Sequence, residues 1–273
     1  MAERPIANAL TCELEPVVAE NLERHLQTAT LWYAHDYVPF DQGENFPLLG
    51  GRAWSPSDST LPQIITHACE VLLLDKDILY GYHRELVNHF ILEDKWGRWI
   101  GRWTAEEHLH AIVLREYLFA TRAVDPDANE QARMSHMSAG YHPHETTQLE
   151  LLAFMAFFER ARALYCHNLA NLTQEPLLQS LLHRIGNDEQ RHELFFANLV
   201  EHCLATHCQD TLNAIATQAH QLRIIGADNL CYQDRLESIA QAGIFGPAQL
   251  HQVITERLHA WGIPDQPAMK QLL

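Results

Sequence analysis

Two pentads, Glu106-Glu107-His108-Leu109-His110 and Asp188-Glu189-Gln190-Arg191-His192, constrain the fold of this chain more than any other feature. Each reads acid-Glu-x-x-His, and on a helix a Glu and a His three positions apart project from one face, close enough to bind one metal ion. Two such faces serve one site only if two helices lie side by side with both turned inward. The spacing by itself does not establish this. With 22 Glu and 18 His in 273 residues, about 1.5 Glu-x-x-His matches are expected by accident, and three are present. The third, Glu256 with His259, follows Thr255 instead of an acid and reads as a solvated helix face.

The surrounding pattern supplies the context. Hydrophobic residues make up 47% of the chain, enough to bury a sizeable core, and a single domain over 1–273 is expected. No run of about 18 apolar residues without charge appears, and Met1 to Leu10, with Glu3 and Arg4, lacks the apolar core of a signal peptide. A cytoplasmic protein that is not integral to a membrane is expected. The net charge of -16 opposes nonspecific binding to nucleic acid, which depends on clustered Lys and Arg. Six cysteines form no Cys-x-x-Cys pair, so they read as reduced, mostly buried thiols and not as a zinc or iron-sulfur site.

Strand-like alternation is nearly absent. Apolar stripes such as Leu149, Leu152, Ala153, Met155, Ala156 and Phe157 repeat at helical spacing. Long helices are expected at about 61–89, 97–122, 145–171 and 175–206, with accessory helices at 12–34, 127–139 and, as three shorter pieces, 210–261. Pro39, Gly43, Pro47, Gly50, Gly51, Pro56 and Pro62 mark a loop before the first of them. Thr173 to Pro176 reads as an N-terminal cap with a first-turn proline. The fold class is therefore all-α, a ferritin-like four-helix bundle with accessory N- and C-terminal helices. Antiparallel neighbours reach the same depth when two residues are equally far from their turn. Glu159 and Glu189 have their midpoint at residues 173 and 174, the expected turn, which levels Glu159 with the second pentad. Dimetal carboxylate bundles need this arrangement: Glu-x-x-His from two helices and one Glu from each of the other two.

Arg102-Trp103-Thr104-Ala105-Glu106-Glu107 with His110, Phe158-Glu159-Arg160-Ala161, and Asp188-Glu189 through His192 closely resemble the acyl-acyl-carrier-protein desaturases. Trp32 to Pro39 and Tyr82-His83-Arg84-Glu85 resemble the mycobacterial branch. The resemblance runs from residue 10 to about 260. It implies a homodimer with a nonheme diiron site that inserts a cis double bond into a saturated acyl chain on acyl carrier protein, using dioxygen and electrons from ferredoxin. It implies Glu107, His110, Glu159, Glu189 and His192 as metal ligands, and an electron route through Trp32, Asp188 and His110. Trp32 reads equally as an ordinary packed aromatic. Lys95, Arg98 and Arg102 are candidates for docking the acidic carrier protein.

One ligand position departs from the family. Its first-helix Glu aligns with Lys76, within Asp75-Lys76-Asp77. A protonated lysine has no lone pair for a metal. Asp75 and Asp77 lie about 100° to either side, and Glu85 is a rival on depth alone. A register shift that turns Lys76 elsewhere is the alternative. Arg162 stands where the family commonly has a small hydroxyl residue. If both cations face inward, three carboxylates face two fixed charges, and the site holds a single iron or manganese, or two metals weakly. The function expected is that of an acyl-carrier-protein desaturase in fatty acid biosynthesis. The alternative is a diverged paralogue that binds carrier protein or one metal without standard desaturation.

Overall fold

The computed structural model describes residues 8–263. The reading of the N-terminal leader falls mostly outside them, as does the end of the 1–273 domain. Ten α-helices are assigned among the described residues, with no strand. They are α1 (Ala9–Thr28), α2 (Gln63–Asp77), α3 (Leu79–His89), α4 (Asp94–Ala120), α5 (Pro126–Ala139), α6 (Gln148–Leu172), α7 (Pro176–Thr206), α8 (Cys208–Gln221), α9 (Leu236–Gln241) and α10 (Pro247–Ala260). The four-helix core is α2 continued by α3, then α4, α6 and α7, which makes the fold an all-α ferritin-like bundle. Helix α1 packs on α4 and α7, and α8 and α10 lie against α6.

Local chemistry starts these helices where the chain allows. Thr147 and Glu150 form a reciprocal capping box at the head of α6. At the head of α7 the Glu175 carboxylate, not Thr173, accepts from the Leu177 and Leu178 amides, with Pro176 in the first turn. On α4, Trp96, Trp99, Trp103, Glu107, His110, Leu114 and Tyr117 recur at steps of three and four and are all buried. The stripe that anchors α4 with three fully buried indoles thus continues into Glu107 and His110. Each indole removes about 150–250 Å² from water, and Trp99 stacks on Phe195 of α7 at 3.5 Å between ring centroids. That contact sets α4 against α7.

Three expectations need correction. The helix expected over 61–89 is two: the chain tightens at Ile78 (φ -78°, ψ 7°) and restarts at Leu79. No Pro or Gly marks the break. Just beyond it the Tyr141 side chain crosses Gly81 so closely that a Cβ there would lie 2.2 Å from Tyr141 Cβ. The helix expected over 12–34 ends at Thr28, whose hydroxyl bonds back to the Arg24 and His25 carbonyls. The chain then runs extended, and that carries Trp32 across to α7. Of the six cysteines, all unpaired, only Cys69, Cys166 and Cys203 are buried.

Candidate metal centre

Glu107 and His110 of α4, Glu159 of α6, and Glu189 and His192 of α7 converge in the core, each no more than 1% exposed. One ligand atom from each of Glu107, Glu159, Glu189 and His192 lies within 4.8 Å of the others. His110 adjoins this group, with Nδ1 at 3.2 Å from Glu189 Oε1 and 3.4 Å from Glu107 Oε1. The levelling of Glu159 with Glu189 across the 173–174 turn is what brings α6 into the site.

The two histidines are braced in a crossed pattern. His192 Nε2 lies 2.9 Å from a Glu106 oxygen, and His110 Nε2 lies 3.3 Å from Asp188 Oδ2. A carboxylate can only accept, so each Nε2 donates and each Nδ1 is turned inward. The leading acid of each pentad therefore supports the histidine of the other. Asp188 also accepts from Trp32 Nε1 at 2.8 Å and from Arg191. Trp32 stacks on His110 at 6.1 Å, so Trp32, Asp188 and His110 form a continuous contact chain. Glu106 accepts from Arg102 Nε at 2.6 Å and from His25, whose ring lies 5.7 Å from that of His192. Trp103 Nε1 donates to Glu159 Oε1 at 2.9 Å.

Lys76 points into this cluster. Its Nζ lies 2.9 Å from Glu107 Oε2 and also contacts Glu189 Oε1, and the residue is 1% exposed. A register shift that turned it outward is thereby excluded. Arg162 is fully buried as well, donating from Nη1 to Glu107 Oε2 at 2.8 Å and from Nε to Asp75 Oδ2 at 2.8 Å. Asp75, Phe158 and Tyr82 enclose the guanidinium, which faces inward. Asp77 turns away to Arg115 and Arg133, and Glu85 pairs with Arg84. Neither replaces the missing ligand.

The charges follow from these contacts. Burial and neighbouring Glu189 push Glu107 up, but Lys76 and Arg162 outweigh them and hold it well below the usual carboxylate range. Glu189 behaves alike: burial raises it and Lys76 with its hydrogen bonds brings it well below. Glu159, which neither cation touches, is driven well above by burial and then by Glu189 and Glu107. Burial lowers the His192 pKa, yet the bond to Glu106 and the nearby carboxylates of Glu107 and Glu189 carry it well above its ordinary value. A metal ion bound here would compete with protons at Glu159 and His192, whose protonated forms these surroundings favour.

The residues offer a set of ligand atoms for a metal ion, and Lys76 competes for the carboxylate oxygens that a second ion would need. Glu107 Oε1, Glu159 Oε2, Glu189 Oε2, His192 Nδ1 and His110 Nδ1 are buried and lack a hydrogen-bond partner, the condition of atoms that could hold an ion. On the His110 side, Lys76 already occupies Glu107 Oε2 and Glu189 Oε1. Counting Asp75, four carboxylates face two fixed cations, and the remaining two negative charges match one divalent ion. Sequence reasoning missed Asp75, Glu106, His25 and Trp103. The leading acid of the first pentad was the visible signal for Glu106; His25 carried none.

A family model described as fatty acid desaturase matches residues 8–271. The chain is 59% identical over 273 residues to a Mycobacterium tuberculosis protein named as an acyl-acyl-carrier-protein desaturase, DesA2, covering 100% of this chain and 99% of that one. The crystal structure of that protein superposes with a TM-score of 0.85 at 54% identity, over 97% of this chain and 100% of the other. A second protein of that organism named as such a desaturase, DesA1, is 31% identical over 260 residues, 92% of this chain and 77% of its own length. The chain belongs to the fatty acid desaturase family of enzymes, in its mycobacterial acyl-acyl-carrier-protein desaturase branch.

Proposed function

We propose that this protein is a diverged acyl-acyl-carrier-protein desaturase that receives a carrier-tethered acyl chain and holds one divalent metal, iron or manganese, instead of a diiron pair. The observation that carries this reading is the Lys76 ammonium between Glu107 and Glu189. Glu107, Glu159, Glu189 and His192 would hold the ion, and once bound it supplies a redox-capable Lewis acid. The chain's own part is positional. Trp103 fixes one oxygen of Glu159, Glu106 with His25 aims His192, and Lys76 with Arg162 keeps the outer carboxylate oxygens in place. Trp99 and Trp103, fully buried beside the cluster, exclude water.

A second reading is a working desaturase that inserts a cis double bond with dioxygen and ferredoxin electrons. The contact chain from Trp32 through Asp188 to His110 supports it, and it requires Lys76 to leave its carboxylates when metal is loaded. The family resemblance supplies the setting for either reading, a cytoplasmic homodimer. For carrier protein, Lys95, Arg98 and Arg102 share one face of α4 by their spacing. Arg98 is the exposed member, while Arg102 is engaged by Glu106.

The deciding experiment loads purified protein with iron(II) anaerobically, counts metal per chain, then supplies dioxygen, reduced ferredoxin and a panel of acylated carrier proteins. One metal per chain and no new double bond is the expected result. Two tightly held irons with turnover would replace this reading with the second.

A further inference from the structure

A cavity of about 380 Å³ opens beside the bundle between α3, α6, the 140–147 loop and the 222–230 segment. Its size lies at the small end of ligand pockets, which run about 300–1,000 Å³. The walls are mixed, with aromatic rings and Ile78, Leu222 and Ile225 beside Glu145, Gln218 and Asn229. Tyr82, Phe154 and Phe158 line one side, with Tyr82 and Phe158 at 4.8 Å between ring centroids. His142, His144 and Arg223 are exposed at the mouth.

The inner lining is not apolar. Asp75 and His136 both face the cavity, at 6% and 5% exposure. His136 Nε2 is buried without a hydrogen-bond partner. Asp75 Oδ2 is taken by Arg162 Nε at 2.8 Å. Arg162 lies flat behind the wall, 4.1 Å from the Phe158 ring centroid and 5.2 Å from that of Tyr82, and its other contact is Glu107. The inner end of the cavity therefore stands one side chain from the metal centre.

A tethered acyl group enters tail first, because its thioester end stays with the carrier outside. A plain hydrocarbon tail brought against Asp75 and His136 would strip their water and return no hydrogen bond, which is unfavourable for buried polar groups. A hydroxyl at the tail can donate to the carboxylate and meet the imidazole. An anionic tail is repelled by Asp75. We propose that this cavity selects an acyl chain carrying a neutral hydroxyl at its tail, received by Asp75 and His136. The inference rests on the reading of the protein as an acyl-chain enzyme and adds the chemical class of the chain.

The test is isothermal titration of the full chain with two probes, decanoyl-pantetheine and ω-hydroxydecanoyl-pantetheine. The hydroxylated probe is expected to bind about tenfold to a hundredfold tighter, the effect of a buried hydrogen bond to a charged partner. In His136→Leu, with its melting temperature checked, most of that preference should disappear while the plain probe binds equally or more tightly. His251→Gln, exposed on α10 and outside the cavity lining, should leave both probes unaffected and serves as the folded comparison. Equal affinities, or a tighter plain probe, in the unaltered protein would overturn the inference and leave the acyl-chain reading standing. Binding of neither probe would overturn both.

Discussion

The two halves of the metal centre are built from the same pentad and end in different states. On the His192 side, four unpartnered ligand atoms face one another, and the surroundings favour the protonated imidazole. On the His110 side, whose ring Nδ1 is unpartnered too, an ammonium and a guanidinium already hold Glu107 Oε2 and Glu189 Oε1. The difference teaches that a ligand motif sets where a metal can sit, while the charges arriving from other helices decide whether one does. Lys76 comes from α2 and Arg162 from α6, and neither belongs to a pentad.

The comparison breaks most visibly at the histidines. His192→Ala should lower metal affinity by more than about a hundredfold, beyond the tenfold to hundredfold typical of losing a group behind a ligand. His110→Ala should leave it nearly unchanged. Metal content after dialysis against a graded chelator checks both, and equal losses would mean that the two halves are equivalent.

Lys76 gives the next largest effects. Lys76→Met leaves Glu107 and Glu189 without their shared cation, and metal-free protein should lose about 3–5 kcal/mol by chemical denaturation. Lys76→Glu restores a carboxylate to the His110 side, so bound metal should rise from one ion per chain toward two. An unchanged count would place Lys76 outside the metal-binding decision.

The outer acids should divide in the same way. Glu106→Gln is expected to weaken metal binding about tenfold to a hundredfold, because the support behind His192 is lost. Asp188→Asn should leave affinity alone and alter the fluorescence of Trp32, which donates to it. Titration of metal by fluorescence and by mass spectrometry separates the two.

The smallest expected effect is on the pH dependence of metal-free protein. The folded-state pKa of His192 is raised above its ordinary 6.5, so its stabilisation is complete below that value and is lost as pH rises through the folded pKa. Glu107 and Glu189, lowered from 4.5, act oppositely: their stabilisation is present above that value and is lost as acid protonates them. Melting temperature should therefore peak between these limits. His192→Gln should flatten the alkaline side and leave the acid side in place.

Much of this was legible in the chain. The bundle followed from helical stripes, and Glu159 was placed beside Glu189 by counting back from one turn, because helix rise is nearly constant. What could not be read depended on partners far away in sequence. Arg162 lies among apolar residues of α6, yet its direction is set by Asp75 of α2 and Glu107 of α4. The same aspartate was placed in the sequence only by its angle on the helix, since nothing local showed that it would pair with an arginine. The interruption at Ile78 was hidden for a similar reason: the chain has helix-compatible residues there, and the close approach comes from Tyr141 some sixty positions on.

The crossed bracing of the histidines has a consequence for assembly. Glu106 reaches from α4 to His192 on α7, and Asp188 reaches from α7 to His110 on α4. If one helix slid past the other by a turn, about 5.4 Å, both bonds would break together and two fully buried imidazoles would lose their acceptors. Apolar side chains tolerate such slippage far better than charged ones do. The pair of links acts as a register lock, fixing helix alignment before any metal arrives.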